Sequence, residues 1–139
     1  MNIEFVAGFS LIVESDVTRK LLTGPFGLPL KSDSPDGEYF HSEAIAGVKH
    51  LGVWPLHQAA EACFGKDEWP AELPKPQATI EFEVKSADAV GEAEKELVAK
   101  GHKLLHGTRT EPWGQTVCRL LSAEGAIIGV SYAPLLHKA

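Results

Sequence analysis

Six side chains have types and spacings suited to chemistry. His50 and Trp54 lie on one strand-like segment and Glu81 and Glu83 on another, each pair at a spacing that shares a strand face. One neutral imidazole with two carboxylates suffices for an open divalent-metal site, which makes His50, Glu81 and Glu83 conceivable ligands. His41, on the preceding strand, is a further one. Trp113 and Trp69 fall in loops, where a large aromatic covers a pocket mouth, packs across a subunit interface or caps the core. Arg119, within a strand, is expected to pair with a nearby acid rather than hold an anionic ligand. His102, His106 and His137 lie near element ends and read as solvated surface residues.

Nucleophilic chemistry finds little support. Cys63 lies on an apolar helical stretch with Ala59, Ala60, Ala62 and Phe64, and Cys118 lies in mid-strand. Thiols in apolar surroundings stay protonated and inert. No Gly-rich phosphate loop follows a strand, and there is no serine elbow.

The elements that must position these residues show an internal echo. Phe9 to Ser15 alternates apolar and mixed residues and then meets a serine able to cap a helix; Ile80 to Ser86 does the same, offset by 71 residues. Phe9, Leu11 and Val13 match Ile80, Phe82 and Val84. After Ser86, the residues Ala89, Val90, Ala93, Leu97 and Val98 form one apolar helical stripe that Gly101 closes. After Ser15 a weaker helix runs from about Asp16 to Thr23, ended by Gly24-Pro25. Strands are predicted at Leu28–Ser32, Glu38–Ala44 and Val48–Trp54 in the first half, and at His102–Gly107, Gln115–Leu121 and Ile127–Tyr132 in the second. Each half therefore reads β-α-β-β-β. A module of about 3–64, which ends in a short helix at Leu56–Phe64, and another of about 77–135 flank a proline-punctuated linker, 65–76. Neither half can bury both of its sheet faces alone, so the 139 residues are expected to pack as one domain, 1–139.

Composition narrows the function. A net charge of −6 with scattered Lys and Arg argues against a nucleic-acid or anionic-membrane surface. No apolar run approaches the roughly 18 residues of a membrane span, and Met1 to Val13 is not a signal peptide. Two cysteines in unrelated settings fit reduced thiols in a cytoplasmic protein better than a disulfide.

The duplicated β-α-β-β-β pattern, with the stretch Trp113-Gly114-Gln115-Thr116-Val117-Cys118-Arg119-Leu120-Leu121, resembles the vicinal-oxygen-chelate superfamily of glyoxalase/bleomycin-resistance type. Members often open the penultimate strand with Trp-Gly and precede the last strand with an acidic-Pro-acidic-Gly hairpin. Ser122-Ala123-Glu124-Gly125 departs from that hairpin, whereas Gly27-Leu28-Pro29-Leu30 resembles the family's ending to the first helix. The resemblance implies an α+β fold in which two βαβββ modules form a cupped mixed β-sheet with flanking helices. It also implies a ligand site on the concave face.

Metal-dependent members place a His or Glu on the first and last strand of each half. Carried over, those places are Gly8 (or Phe9, one register away), Gly52, Thr79 and Gly129. None offers imidazole, carboxylate or thiolate, so no metal and no cofactor is expected there. In the same register His50, Trp54, Glu81 and Glu83 point into the cup as a polar and aromatic pocket floor; otherwise His50 is an ordinary strand residue and the glutamates an exposed rim.

The resemblance thus implies a metal-independent small-molecule binding protein, sequestering a drug or metabolite. A metal-dependent lyase, isomerase or dioxygenase with non-standard ligands is the alternative. A homodimer is expected, because cups in small members are often shared between subunits.

Overall fold

The computed structural model describes residues 1–137. Its strands are β1 (Phe5–Val13), β2 (Phe40–Ser42), β3 (Leu51–Pro55), β4 (Ala78–Glu83), β5 (Leu104–Thr110), β6 (Thr116–Leu121) and β7 (Ile127–Tyr132). Its helices are α1 (Val17–Thr23), α2 (Leu56–Phe64) and α3 (Ala87–Ala99), followed by a 3₁₀ turn at Pro134–His137. All seven strands join one sheet in the order β2-β3-β1-β4-β7-β6-β5. β1 runs parallel to β3 and β4 parallel to β7, and the two halves meet where β1 and β4 pair antiparallel. Phe9 faces Leu51 in the first half as Ile80 faces Ile128 in the second, so the echo in sequence is an echo in register.

The second half has the complete predicted set of elements; the first does not. The strand expected at Leu28–Ser32 shrinks to a single bridge between Lys31 and His41. Pro29 supplies no N–H for a ladder, and the Ser34-Pro35-Asp36-Gly37 turn follows directly. The strand expected over Glu38–Ala44 keeps only Phe40–Ser42, because the Ser42 hydroxyl accepts the Ala44 N–H at 3.0 Å and turns the chain away. Ser86 caps α3 by accepting the Ala89 N–H at 3.1 Å. Ser15 matches it only loosely: its hydroxyl accepts the Val17 N–H at 3.4 Å, while Asp16, the cap residue of α1, makes no side-chain capping bond.

The sheet faces divide by strand alternation. On the outer face, Val90 and Ala93 of α3 pack with Val84, Cys118 and Val130. On the other face, α2 buries Leu56, Ala59, Ala60, Ala62 and Cys63 against Trp54 and Ile127, with Ile12, Leu105 and Leu121 alongside. Helix α2 touches both β3 and β5, which stand five strand places apart. In a flat sheet those strands would be about 24 Å apart, well beyond the roughly 14 Å length of a nine-residue helix. The sheet therefore curls around α2, and this face is concave. Trp69 plugs the same space at 7% exposure, donating from Nε1 to the Pro74 carbonyl at 2.9 Å and meeting Phe64 edge-on. It is core, not the rim of a pocket. Among the described residues, no helix is long and apolar enough to cross a membrane.

Candidate functional site

Beyond the end that α2 fills, the concave face is polar. Gly8 pairs with Glu81, Glu81 with Gly129, Gly129 with Arg119 and Arg119 with His106, a row that crosses five strands. One step along, His41 pairs with Gly52, Gly52 with Ser10 and Ser10 with Thr79. Gly8, Gly52, Thr79 and Gly129 are all buried.

The space above the glycines is taken. A Cβ on Gly52 would lie 2.6 Å from both the Ser10 Oγ and the Tyr39 hydroxyl, and one on Gly129 would lie 3.1 Å from Glu81 Cγ. The Thr79 hydroxyl is buried with no partner and is a poor ligand. A metal at these four places therefore fits neither the donors nor the space.

His50 lies over Gly8: a Cβ there would stand 3.3 Å from the His50 carbonyl oxygen and in ordinary contact, at 3.5 and 3.6 Å, with its Cβ and Cδ2. His50 does not stand alone. Its Nδ1 lies 2.7 Å from Glu43 Oε2, and His41 Nδ1 lies 2.7 Å from the same oxygen. His41 Nε2 reaches Asp33 Oδ1 at 2.8 Å, and His50 Nε2 makes a short contact with the Tyr39 hydroxyl. The rings of Tyr39 and His41 stack at 5.2 Å, as do those of His41 and His50.

Strand pairing brings these groups together: β2 and β3 run antiparallel, so a residue in β2 and one entering β3 emerge side by side. Burial holds His50 below its ordinary pKa, outweighing the Glu43 carboxylate beside it. Burial also opposes charge on His41, but Glu43 and Asp33 together outweigh it and raise His41. Burial raises the Tyr39 phenol.

Across the cup stands a second network. Arg119 is 1% exposed; its NH1 meets His106 Nε2 at 3.0 Å, and Glu111 and Glu81 lie at 3.6 and 3.9 Å. The expected pairing of Arg119 with acid is present but loose, and its Nε has no partner. Gln115 ties the network down, donating from Nε2 to Glu81 at 3.0 Å and to Ser131 at 2.9 Å. His106 is a correction to the sequence reading. It is half-buried against Arg119, and burial, helped by that guanidinium, lowers its pKa to about 4. His137 is likewise no solvated residue, since its Nε2 meets Glu83 Oε2 at 2.8 Å and its ring tilts against Phe5 and Tyr132.

The six candidates scatter accordingly. His41 and His50 converge, and Glu81 stands across Gly8 from them, partly exposed at 18% of its side chain. Trp54 faces the cup as its strand parity requires, yet it is buried under α2 with the Arg119 guanidinium over its ring, 5.5 Å from the centroid. Glu83 is neither rim nor pocket floor: it is fully buried, accepts the Ala133 N–H at 2.5 Å, and is raised in pKa by that burial. Trp113 is 59% exposed, with Nε1 donating to Gln115. Sequence reasoning passed over Tyr39, Glu43 and Asp33. Their acidic and phenolic types flanking His41 were a visible signal, but only the hairpin register joins them to His50.

No protein-family profile and no curated protein sequence matches the chain. Solved structures do. One is a Streptomyces coelicolor methylmalonyl-CoA epimerase variant in complex with 2-nitronate-propionyl-CoA. It shares 13% identity at a TM-score of 0.61, with 99% of this chain and 100% of that one covered. A glyoxalase/bleomycin resistance protein/dioxygenase superfamily member from Vibrio splendidus 12B01 shares 13% identity at a TM-score of 0.56, with 95% and 100% covered. The 2,2',3-trihydroxybiphenyl 1,2-dioxygenase of Sphingomonas wittichii strain RW1 shares 12% at a TM-score of 0.60, with 92% of this chain and 42% of that one covered. The fold is thus the α+β vicinal-oxygen-chelate fold of the glyoxalase/bleomycin-resistance/dioxygenase superfamily.

Proposed function

We propose that this chain binds a small organic molecule on the concave face of its sheet, with no metal at the fold's usual ligand places. The observation that carries this reading is the set Gly8, Gly52, Thr79 and Gly129, which offers no ligand donors and is overlaid by Ser10, Tyr39 and Glu81. What remains accessible there is the surface between His50 and Glu81. Glu43 and Glu81 flank it, and with the chain's net charge of −6 they favour a cationic or amphipathic drug or metabolite, held by sequestration. The epimerase complex, which holds 2-nitronate-propionyl-CoA, is consistent with organic ligands in this fold. A homodimer completing the cup is part of the proposal; a monomer by light scattering at micromolar concentration would remove that part.

The test is titration of chelator-treated protein with bleomycin and a panel of organic cations, followed by tryptophan fluorescence and calorimetry. The expected result is saturable binding to metal-free protein, weakened about tenfold or more by Glu81→Gln, the scale of one lost charge-assisted contact. Binding that is absent without added metal, or indifferent to Glu81→Gln, would overturn the reading. A second reading, a lyase, isomerase or dioxygenase with non-standard metal ligands, is favoured by one observation: the convergence of His41 and His50 on Glu43.

A further inference from the structure

We infer that His41, Glu43 and His50 form a binding site for one divalent transition cation of the zinc class, at the β2–β3 end of the concave face and off the fold's usual metal places. One ligand atom from each lies within 4.8 Å of the others. Both Nδ1 atoms already point at a single carboxylate oxygen, each at 2.7 Å. A cation held at about 2.0–2.2 Å from each atom would set neighbouring ligands roughly 3.3 Å apart. Each N···O edge has therefore to open by about half an ångström, and the N···N edge, now within 4.8 Å, has to settle at the same length.

The outer partners are placed to support a cation there. An imidazole binds metal through a bare ring nitrogen while its proton sits on the other. Asp33 is acceptor-only as a carboxylate and faces His41 Nε2 at 2.8 Å, so it holds the proton on Nε2 and leaves Nδ1 free. The Tyr39 hydroxyl oxygen can accept from His50 Nε2 in the same manner, which frees the other Nδ1. Without a cation, a doubly protonated His41 donates to both Glu43 and Asp33, and His50 donates from Nδ1 to Glu43 while its Nε2 accepts from Tyr39; a bound cation takes the place of the two Nδ1 protons. Two imidazoles and one carboxylate suit Zn²⁺, Co²⁺ or Ni²⁺ better than Mg²⁺ or Ca²⁺, which prefer all-oxygen shells. Three protein ligands leave at least one coordination position open, as in catalytic rather than structural sites. The site does not depend on whether an organic ligand occupies the cup.

The experiment is calorimetric titration of untagged, chelator-treated protein with Zn²⁺ alone, with Co²⁺ absorption in the visible as an independent signature. The expected result is one equivalent bound, a metal-dependent rise in Tm, and Co²⁺ bands of a nitrogen- and oxygen-ligated ion. Glu43→Gln, at an exposed residue, and His41→Gln, a size-conserving change at a half-buried one, should each abolish all three signals, so the outcome does not hinge on His50→Ala folding. Asp33→Asn and Tyr39→Phe should keep the stoichiometry and weaken binding by about 10–100-fold, the usual effect of outer-partner loss. His57→Ala, which removes a surface histidine paired with Glu38, should change nothing. Absence of stoichiometric binding, or binding that survives in Glu43→Gln and His41→Gln, would overturn the site. Failure of organic-ligand binding in metal-free protein would bear only on the preceding proposal.

Discussion

Replacing Gly52 by alanine introduces one methyl group at the most crowded point of the cup. Its carbon would stand 2.6 Å from the Ser10 Oγ, 2.6 Å from the Tyr39 hydroxyl and 3.0 Å from Tyr39 Cε1, where ordinary contact begins at 3.4 Å. Two polar groups and a ring edge must therefore retreat together. Forced overpacking of this kind costs about 1–3 kcal/mol, and loosening the Tyr39 hydroxyl's bonds adds about 0.5–1.5 kcal/mol for each one lost. Against this, alanine restricts the unfolded chain and returns about 0.4–1 kcal/mol. The net expectation is a loss of about 1–3 kcal/mol. For a chain of this size that is a fall in Tm of roughly 3–5 °C per kcal/mol.

Urea denaturation measures the free energy and circular dichroism the Tm. The decisive comparison is the same substitution in a Ser10→Ala/Tyr39→Phe background, where both hydroxyls are gone and only Cε1 must yield. There the cost of Gly52→Ala should shrink by more than half, a coupling typical of residues in direct contact. If Gly52→Ala is neutral to within about 0.5 kcal/mol, the reasoning is refuted. It is equally refuted if the cost is the same in both backgrounds. The space over Gly52 would then not be filled, and the steric half of the case against a metal there would fall with it.

Arg119→Met removes a fully buried guanidinium and leaves Glu81 and Glu111 facing each other without it, so it should cost about 3–5 kcal/mol in urea denaturation. Adding Glu81→Gln should recover part of that loss; no recovery would mean that the two charges are not coupled. His106 is held neutral in the fold with a pKa of about 4, against an ordinary value of 6.5. The unfolded chain therefore takes up a proton between those values while the folded protein does not, and stability falls as pH drops through that window. Relative to His106→Gln, the wild-type protein should be progressively destabilised from about pH 6.5 down to about pH 4. A difference that is flat with pH would show that His106 is not buried against Arg119.

Much of the fold was legible because local signals agreed with one another. Helix α2 spans Leu56–Phe64 and β7 spans Ile127–Tyr132, as their patterns indicated. The first has an apolar Ala-rich face closed by left-handed Gly65, and the second a largely apolar run after a glycine turn. The first half resisted because Pro29 and the serine-rich turn after it leave too little backbone to pair, so a strand became a bridge. Of the site, alternation placed His50, Trp54 and Glu81 on the concave side, but could not say that α2 and Arg119 cover Trp54. Nor could it say that Glu83 is sealed by His137.

The six candidate residues therefore end in three different situations, and the difference between them is not local. Residue type and strand period alone determine which side chains share a face, and they suffice to show that Gly8, Gly52, Thr79 and Gly129 lack metal donors. Which side chains meet across strands depends on pairing register and on how far the sheet curls. These are set by long-range packing against α2 rather than by neighbours in the chain. His41, Glu43 and His50 belong to that second class: they converge only because β2 and β3 pair antiparallel, which sets the chain after His41 beside the chain before β3.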